Sequence, residues 1–123
     1  MKKLLLASLV LGALAVTLGV FSVRANTESK KSETVRFNEK VKLVNVILKG
    51  EYTFVHDDAK MALGEDCTYV YDRAGKLVVS FHCIPVERKK AVSFRIVTKR
   101  LTNDLVELNE YQFAGDSEAH QVP

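Results

Sequence analysis

Histidine, carboxylate and thiol groups are the side chains here that could do chemistry, and they fall in few places. His56-Asp57-Asp58 is the densest group, followed by His82 beside Cys83, by Cys67, and by His120 near the C-terminus. An imidazole with adjacent carboxylates can bind zinc or copper, or can act as a base with its orienting partner. His56, Asp57, Asp58 and His82 are therefore the candidate metal ligands. The competing reading is structural: His56 continues a Tyr52/Phe54 strand face, and Asp57-Asp58 suit a turn and a helix cap. Three histidines converging with Asp57 would make a metal site, but no H-x-H or H-x-x-x-H spacing is present. Ser80 and His82 share a strand face, yet no G-x-S-x-G elbow or orienting acid accompanies them, so no catalytic residue is assigned.

Cys67 and Cys83 are the two cysteines of the chain. An even count in an exported chain reads as a disulfide, and their spacing is not the C-x-x-C of a redox centre. Fifteen residues lie between them; closing such a loop contributes about 3 kcal/mol in the chain-entropy picture. Metal ligation by Cys83 together with His82 is disfavoured, because adjacent strand residues point to opposite faces. Met61 reads as a plug beneath a loop rather than as a copper thioether. Tyr52, Tyr69, Tyr71 and Tyr111 read as core or rim aromatics, and Glu87-Arg88-Lys89-Lys90 as a solvated turn. No cofactor is assigned, and the partner, whether an envelope protein or a small ligand, is not specified by any motif.

The elements that must position these groups begin after residue 25. Lys2 and Lys3 precede an uncharged run from Leu4 to Val23, and Val23-Arg24-Ala25 offers small residues at −3 and −1 of a signal peptidase site. The expectation is a signal peptide over 1–25 and a secreted or periplasmic mature chain. If left uncut, the segment would be an anchor with the rest outside. Of 18 Lys+Arg, Lys2, Lys3 and Arg24 leave with the signal; the remaining 15 balance 15 Asp+Glu. A neutral mature chain gives no general attraction to nucleic acid. Removing 25 of 123 residues leaves 98, enough for one domain.

Residues 26–33 (NTESKKSE) read as a flexible leader, 34–114 as the domain, and 115–123 as a polar tail. Within the domain the apolar period is close to two, the period of strands. A hairpin is expected around Lys49-Gly50, a loop with a helical turn over 58–63 ended by Gly64, and a second hairpin over 67–83 turning at Asp72-Arg73-Ala74-Gly75. Odd positions of that hairpin, both cysteines included, would form its apolar face. Cys83 would then be only a diagonal neighbour of Cys67, unless a longer loop or a bulge intervenes. Leu101, Leu105 and Leu108 recur at helical spacing, with Thr102 or Asn103 as candidate caps, whereas Leu105, Tyr111 and Phe113 share strand parity; a strand over 106–113 is favoured over the helix. The sum is an all-β fold: a small β-sandwich or open barrel of about six to seven antiparallel strands with one disulfide.

The segment Ile47-Leu48-Lys49-Gly50-Glu51-Tyr52-Thr53-Phe54 resembles a hairpin pattern, roughly Leu-Pro-x-Gly-x-Tyr-x-Val, of small exported bacterial proteins of uncharacterised function. Gly50 and Tyr52 match, and Leu48 replaces the proline. The resemblance implies a secreted β-sandwich and no particular activity. The expected function is a non-enzymatic exported binding or structural module, with a periplasmic Cu/Zn-binding protein using His56, Asp57 and Asp58 as one alternative and an enzyme of unknown class as the other.

Overall fold

The computed structural model describes residues 30–123; the signal segment and residues 26–29 of the expected leader lie outside them. Eight strands and one short helix follow one another: β1 (Lys30–Leu43), β2 (Val46–Asp57), α1 (Asp58–Ala62), β3 (Thr68–Asp72), β4 (Leu77–Phe81), β5 (Ile84–Glu87), β6 (Arg95–Thr102), β7 (Leu105–Gln112) and β8 (Glu118–Gln121). They form one curled sheet, not a two-layer sandwich, in the order β4-β3-β2-β1-β7-β8-β5, with β6 paired to β7. All pairings are antiparallel except β1 with β7, which is parallel over Lys40–Lys42 and Leu105–Glu107.

The curl comes from bulges, which bend and twist the strand that carries them. β1 is irregular between Phe37 and Val41, opposite Gly50 of β2. Gly50 adopts φ +96°, which an L side chain resists. Lys49-Gly50, where a turn is expected, instead lies within β2 opposite the bulge of β1, and the hairpin turns earlier, at Val44-Asn45, where Val44 has φ 57°. Val44 and Ile47 consequently face solvent.

The 67–83 hairpin carries the bulge its cysteines require. Thr68 pairs with Phe81 and Val70 with Val79, and the register slips between Val70 and Tyr71. The extra residue is Val78 of β4, and the offset sets Thr68 and Val70 inward with Val79 and Phe81, while Tyr69 and Tyr71 are half-buried. Cys67 lies just before β3 and Cys83 just after β4. Their Cα atoms are 6.4 Å apart and the disulfide is formed. Asp72 holds the turn by accepting from the Ala74 and Lys76 amides, both at 2.9 Å.

The interior of the curl is packed by Phe37, Leu43, Leu48, Phe54, Val70, Leu108, Tyr111 and Phe113. Phe54 meets Tyr111 edge-on at 5.5 Å between ring centroids, a geometry that aromatic quadrupoles favour. Both termini of the domain are more ordered than their composition suggests. β1 starts at Lys30, inside the expected leader, and the expected tail contains β8, where Ala119 and His120 are buried. Among the described residues no helix is long and apolar enough to cross a membrane.

One connection is unusual. β4 and β5 lie at opposite ends of the strand order, yet only His82-Cys83 joins them. Three Cα steps of 3.8 Å limit that gap to about 11 Å. The two rims of the sheet must therefore approach one another at Cys83.

Candidate metal centre

Four elements deliver side chains to this seam. His56 is the penultimate residue of β2, on the face that buries Phe54, and is 2% exposed. Cys67 and Cys83 flank the second hairpin and are fully buried. His120 comes from β8, where its pairing with Tyr111 of β7 turns it inward, also at 2% exposure. Met61 comes from α1 and packs partly buried against the same core.

The donor atoms converge on Cys83. His56 Nε2 lies 3.4 Å from its Sγ, His120 Nδ1 lies 3.8 Å away, and Met61 Sδ lies 3.9 Å away. The closest set, His56 with Cys67 and Cys83, has its ligand atoms within 4.8 Å of one another. The two imidazoles stack at 4.0 Å with planes 26° apart. Cys67 Sγ in turn accepts from the Cys83 amide at 3.2 Å.

α1 organises one side of this cluster. Its N-cap is Asp57, whose Oδ1 accepts from the Ala59 and Lys60 amides, satisfying donors a helix start leaves free. Asp58 and Met61, three residues apart and so on one helix face, both serve the cluster. Asp58 Oδ1 stands 3.0 Å from His56 Nδ1. That contact places the proton on Nδ1 and leaves the Nε2 lone pair aimed at Cys83, the orienting arrangement found behind metal-ligating histidines.

Burial sets the protonation states. Desolvation drives His56 below its ordinary value, opposed by the neighbouring Asp58 and Asp57 carboxylates. His120 falls from 6.5 to about 4, first through burial and then through its neighbour His56. Both rings are therefore neutral near pH 7, the form that ligates metals. Tyr111, whose hydroxyl hydrogen-bonds Thr68 Oγ1, is raised well above its usual range by burial.

Of the four sequence-derived candidates, His56 lies in the cluster, Asp58 orients it and Asp57 caps the helix. His82 lies outside. It is exposed on the opposite side from Cys83, with its Nδ1 3.2 Å from the Glu65 carbonyl. His120 is the group that spacing alone could not supply. β8 is four residues long, and its pairing with β7 is not encoded in any local pattern. Met61 had a local signal in its i+3 relation to Asp58.

A buried polar brace holds the neighbouring loop. Glu110, 5% exposed, receives Arg88 Nη2 at 2.8 Å and Arg95 Nη2 at 2.7 Å. The first of these contacts does most to hold its carboxyl below the usual range. Gln112 donates to the Lys89 and Asp116 carbonyls at 2.9 and 2.7 Å, fixing the turn that leads into β8.

The chain matches no protein-family model, no curated protein and no solved structure. The side-chain geometry alone must carry the functional reading.

Proposed function

We propose that this protein is an exported copper-binding module whose site opens when the Cys67–Cys83 bridge is reduced. The observation that carries this reading is the gathering of two imidazoles and a thioether within 3.9 Å of Cys83 Sγ. A disulfide that only clasps a hairpin gains nothing from polar neighbours. Burying two imidazoles costs free energy that apolar side chains would not. Perturbed, buried titratable groups of this kind concentrate at functional sites.

The donor set selects the metal. Thiolate and thioether sulfurs favour Cu(I), and histidine–cysteine sites with a distant methionine are a copper arrangement. Structural zinc takes four strong ligands in a tetrahedron. Two imidazoles and two thiols would also make such a tetrahedron; the thioether of Met61, 3.9 Å from Cys83 Sγ, is the added donor that favours Cu(I). The carboxylates are engaged elsewhere, Asp57 at the helix cap and Asp58 on His56 Nδ1. Loading requires a dithiol reductant, whose two thiols become a disulfide as two electrons and two protons pass to the bridge. Cu(I) then displaces the thiol protons.

The test is a competition titration of the reduced chain against bicinchoninate for Cu(I) and against a zinc-responsive dye for Zn(II). One Cu(I) per chain, lost in Cys83→Ser and weakened in His56→Ala, is the expected result. Equal binding by those variants, or binding of Zn(II) alone, overturns the copper assignment. Export is tested separately, by fractionating the producing cells and weighing the intact protein for cleavage after Ala25.

A further inference from the structure

A cavity of about 210 Å³ opens beside the cluster, on the side away from the sulfurs. It is lined by Lys31, His56, Asp58, Asp116, Ser117, Glu118 and His120. Both histidines therefore present two chemically different sides. The Nε2 of His56 and the Nδ1 of His120 face Cys83. Both residues also line the cavity, together with the side chains of Asp58, Asp116 and Glu118.

The second nitrogen of His120 is the informative atom. His120 is 98% buried, being 2% exposed. Among the described residues its Nε2 has no hydrogen-bond partner, and no buried side-chain nitrogen or oxygen is left without one. An unpartnered Nε2 must consequently reach the cavity the residue lines. It does so beside Asp58, which is bound to His56 Nδ1, and Asp116, which is paired with Lys31 across the mouth.

We infer that this cavity is a second cation site, built of imidazole nitrogen and carboxylate oxygen, that takes Cu(II) while the disulfide is intact. Nitrogen and oxygen donors in a tetragonal array suit Cu(II), as thiolate and thioether suit Cu(I). The anchoring donors are His120 Nε2 and the carboxylates of Asp116 and Asp58. Lys31 is the competing cation and must yield Asp116 when the ion binds. This deepens the proposed copper function by sharing its histidines, but it needs neither thiol nor electron.

The test uses the oxidised full chain and aqueous Cu(II), read by electron paramagnetic resonance and by titration calorimetry. The expected result is one tetragonal Cu(II) per chain with nitrogen hyperfine structure. His120→Gln should abolish that hyperfine structure, and Asp116→Asn should weaken affinity about tenfold. Lys31→Ala should tighten affinity by removing the competing cation. A Cys67→Ser/Cys83→Ser double variant should keep the Cu(II) signal while losing Cu(I) binding, which separates this inference from the sulfur site. No bound Cu(II), or a signal unchanged in His120→Gln, overturns the inference. Should the variants fold differently, as judged by circular dichroism, Lys31→Ala decides the matter, since it lies on an exposed strand end.

Discussion

His56 Nε2 sits 3.4 Å from Cys83 Sγ, although 27 positions separate the two residues and β2, which carries His56, pairs with neither β4 nor β5, the strands that Cys83 joins. The contact exists because β2 and β4 both end at the seam and Cys83 lies two residues beyond β4. It ties the bridge, the imidazoles and the helix into one cooperative unit.

Reduction of the bridge should destabilise the metal-free protein by about 3 kcal/mol, the chain-entropy contribution of a loop of this size. For a domain of about 100 residues that is a fall in Tm of roughly 12–24 °C. Thermal melts with and without dithiothreitol measure it. Adding Cu(I) to the reduced sample should recover part of the loss, because a ligand that binds the folded state alone stabilises it.

Asp58→Asn should weaken Cu(I) binding by about 10–100-fold, the usual effect of removing a carboxylate behind a ligating histidine. Asp58 is largely exposed, so the fold itself should change little. Chelator competition together with a thermal melt distinguishes the two effects; a stability loss without an affinity change would show that Asp58 only decorates the helix.

Acid should destabilise the oxidised, metal-free protein through His120. Its folded value of about 4 lies below the ordinary 6.5 of the unfolded chain. Protons therefore bind the unfolded chain first. Stability from this group is complete above about pH 6.5, declines as pH falls toward 4, and is flat below that. The integrated loss is on the order of 3 kcal/mol. Urea melts between pH 7 and 4 follow it, and His120→Gln should flatten that part of the profile.

Glu110→Gln should cost about 1–3 kcal/mol. Its two arginine partners remain partly in water, at 43% and 38% side-chain exposure, so they recover hydration that a buried pair would not. The larger share is the replaced carboxylate, which holds two charge-assisted hydrogen bonds in a buried position. Denaturant unfolding provides the measurement.

The all-β class, the second hairpin and the short helix ended at Gly64 are legible because each is written in neighbouring residues; β7 is less so, because Leu101, Leu105 and Leu108 also fit helical spacing. Alternation marks strands, Asp72-Arg73-Ala74-Gly75 marks a turn, and Asp57 marks a cap. The site was only half legible, for the opposite reason. His56 and the cysteines stood out by residue type. His120 joined them only through curl and the β7–β8 pairing, which no local pattern carries. The expected parity of β3 fails because one extra residue on β4, Val78, shifts the whole of Thr68–Val70 by one position against Val79 and Phe81. No turn forms at Lys49-Gly50 because a glycine with positive φ suits a strand residue facing a bulge as well as it suits a turn.

The two-residue passage His82-Cys83 makes the sheet's weakest line coincide with its most reactive atoms. Peeling either outermost strand would carry Cys83 away from both imidazoles at once. An ion gripped there would work as a rivet through overlapping plates, and occupancy and closure of the curl would be the same event observed by different means.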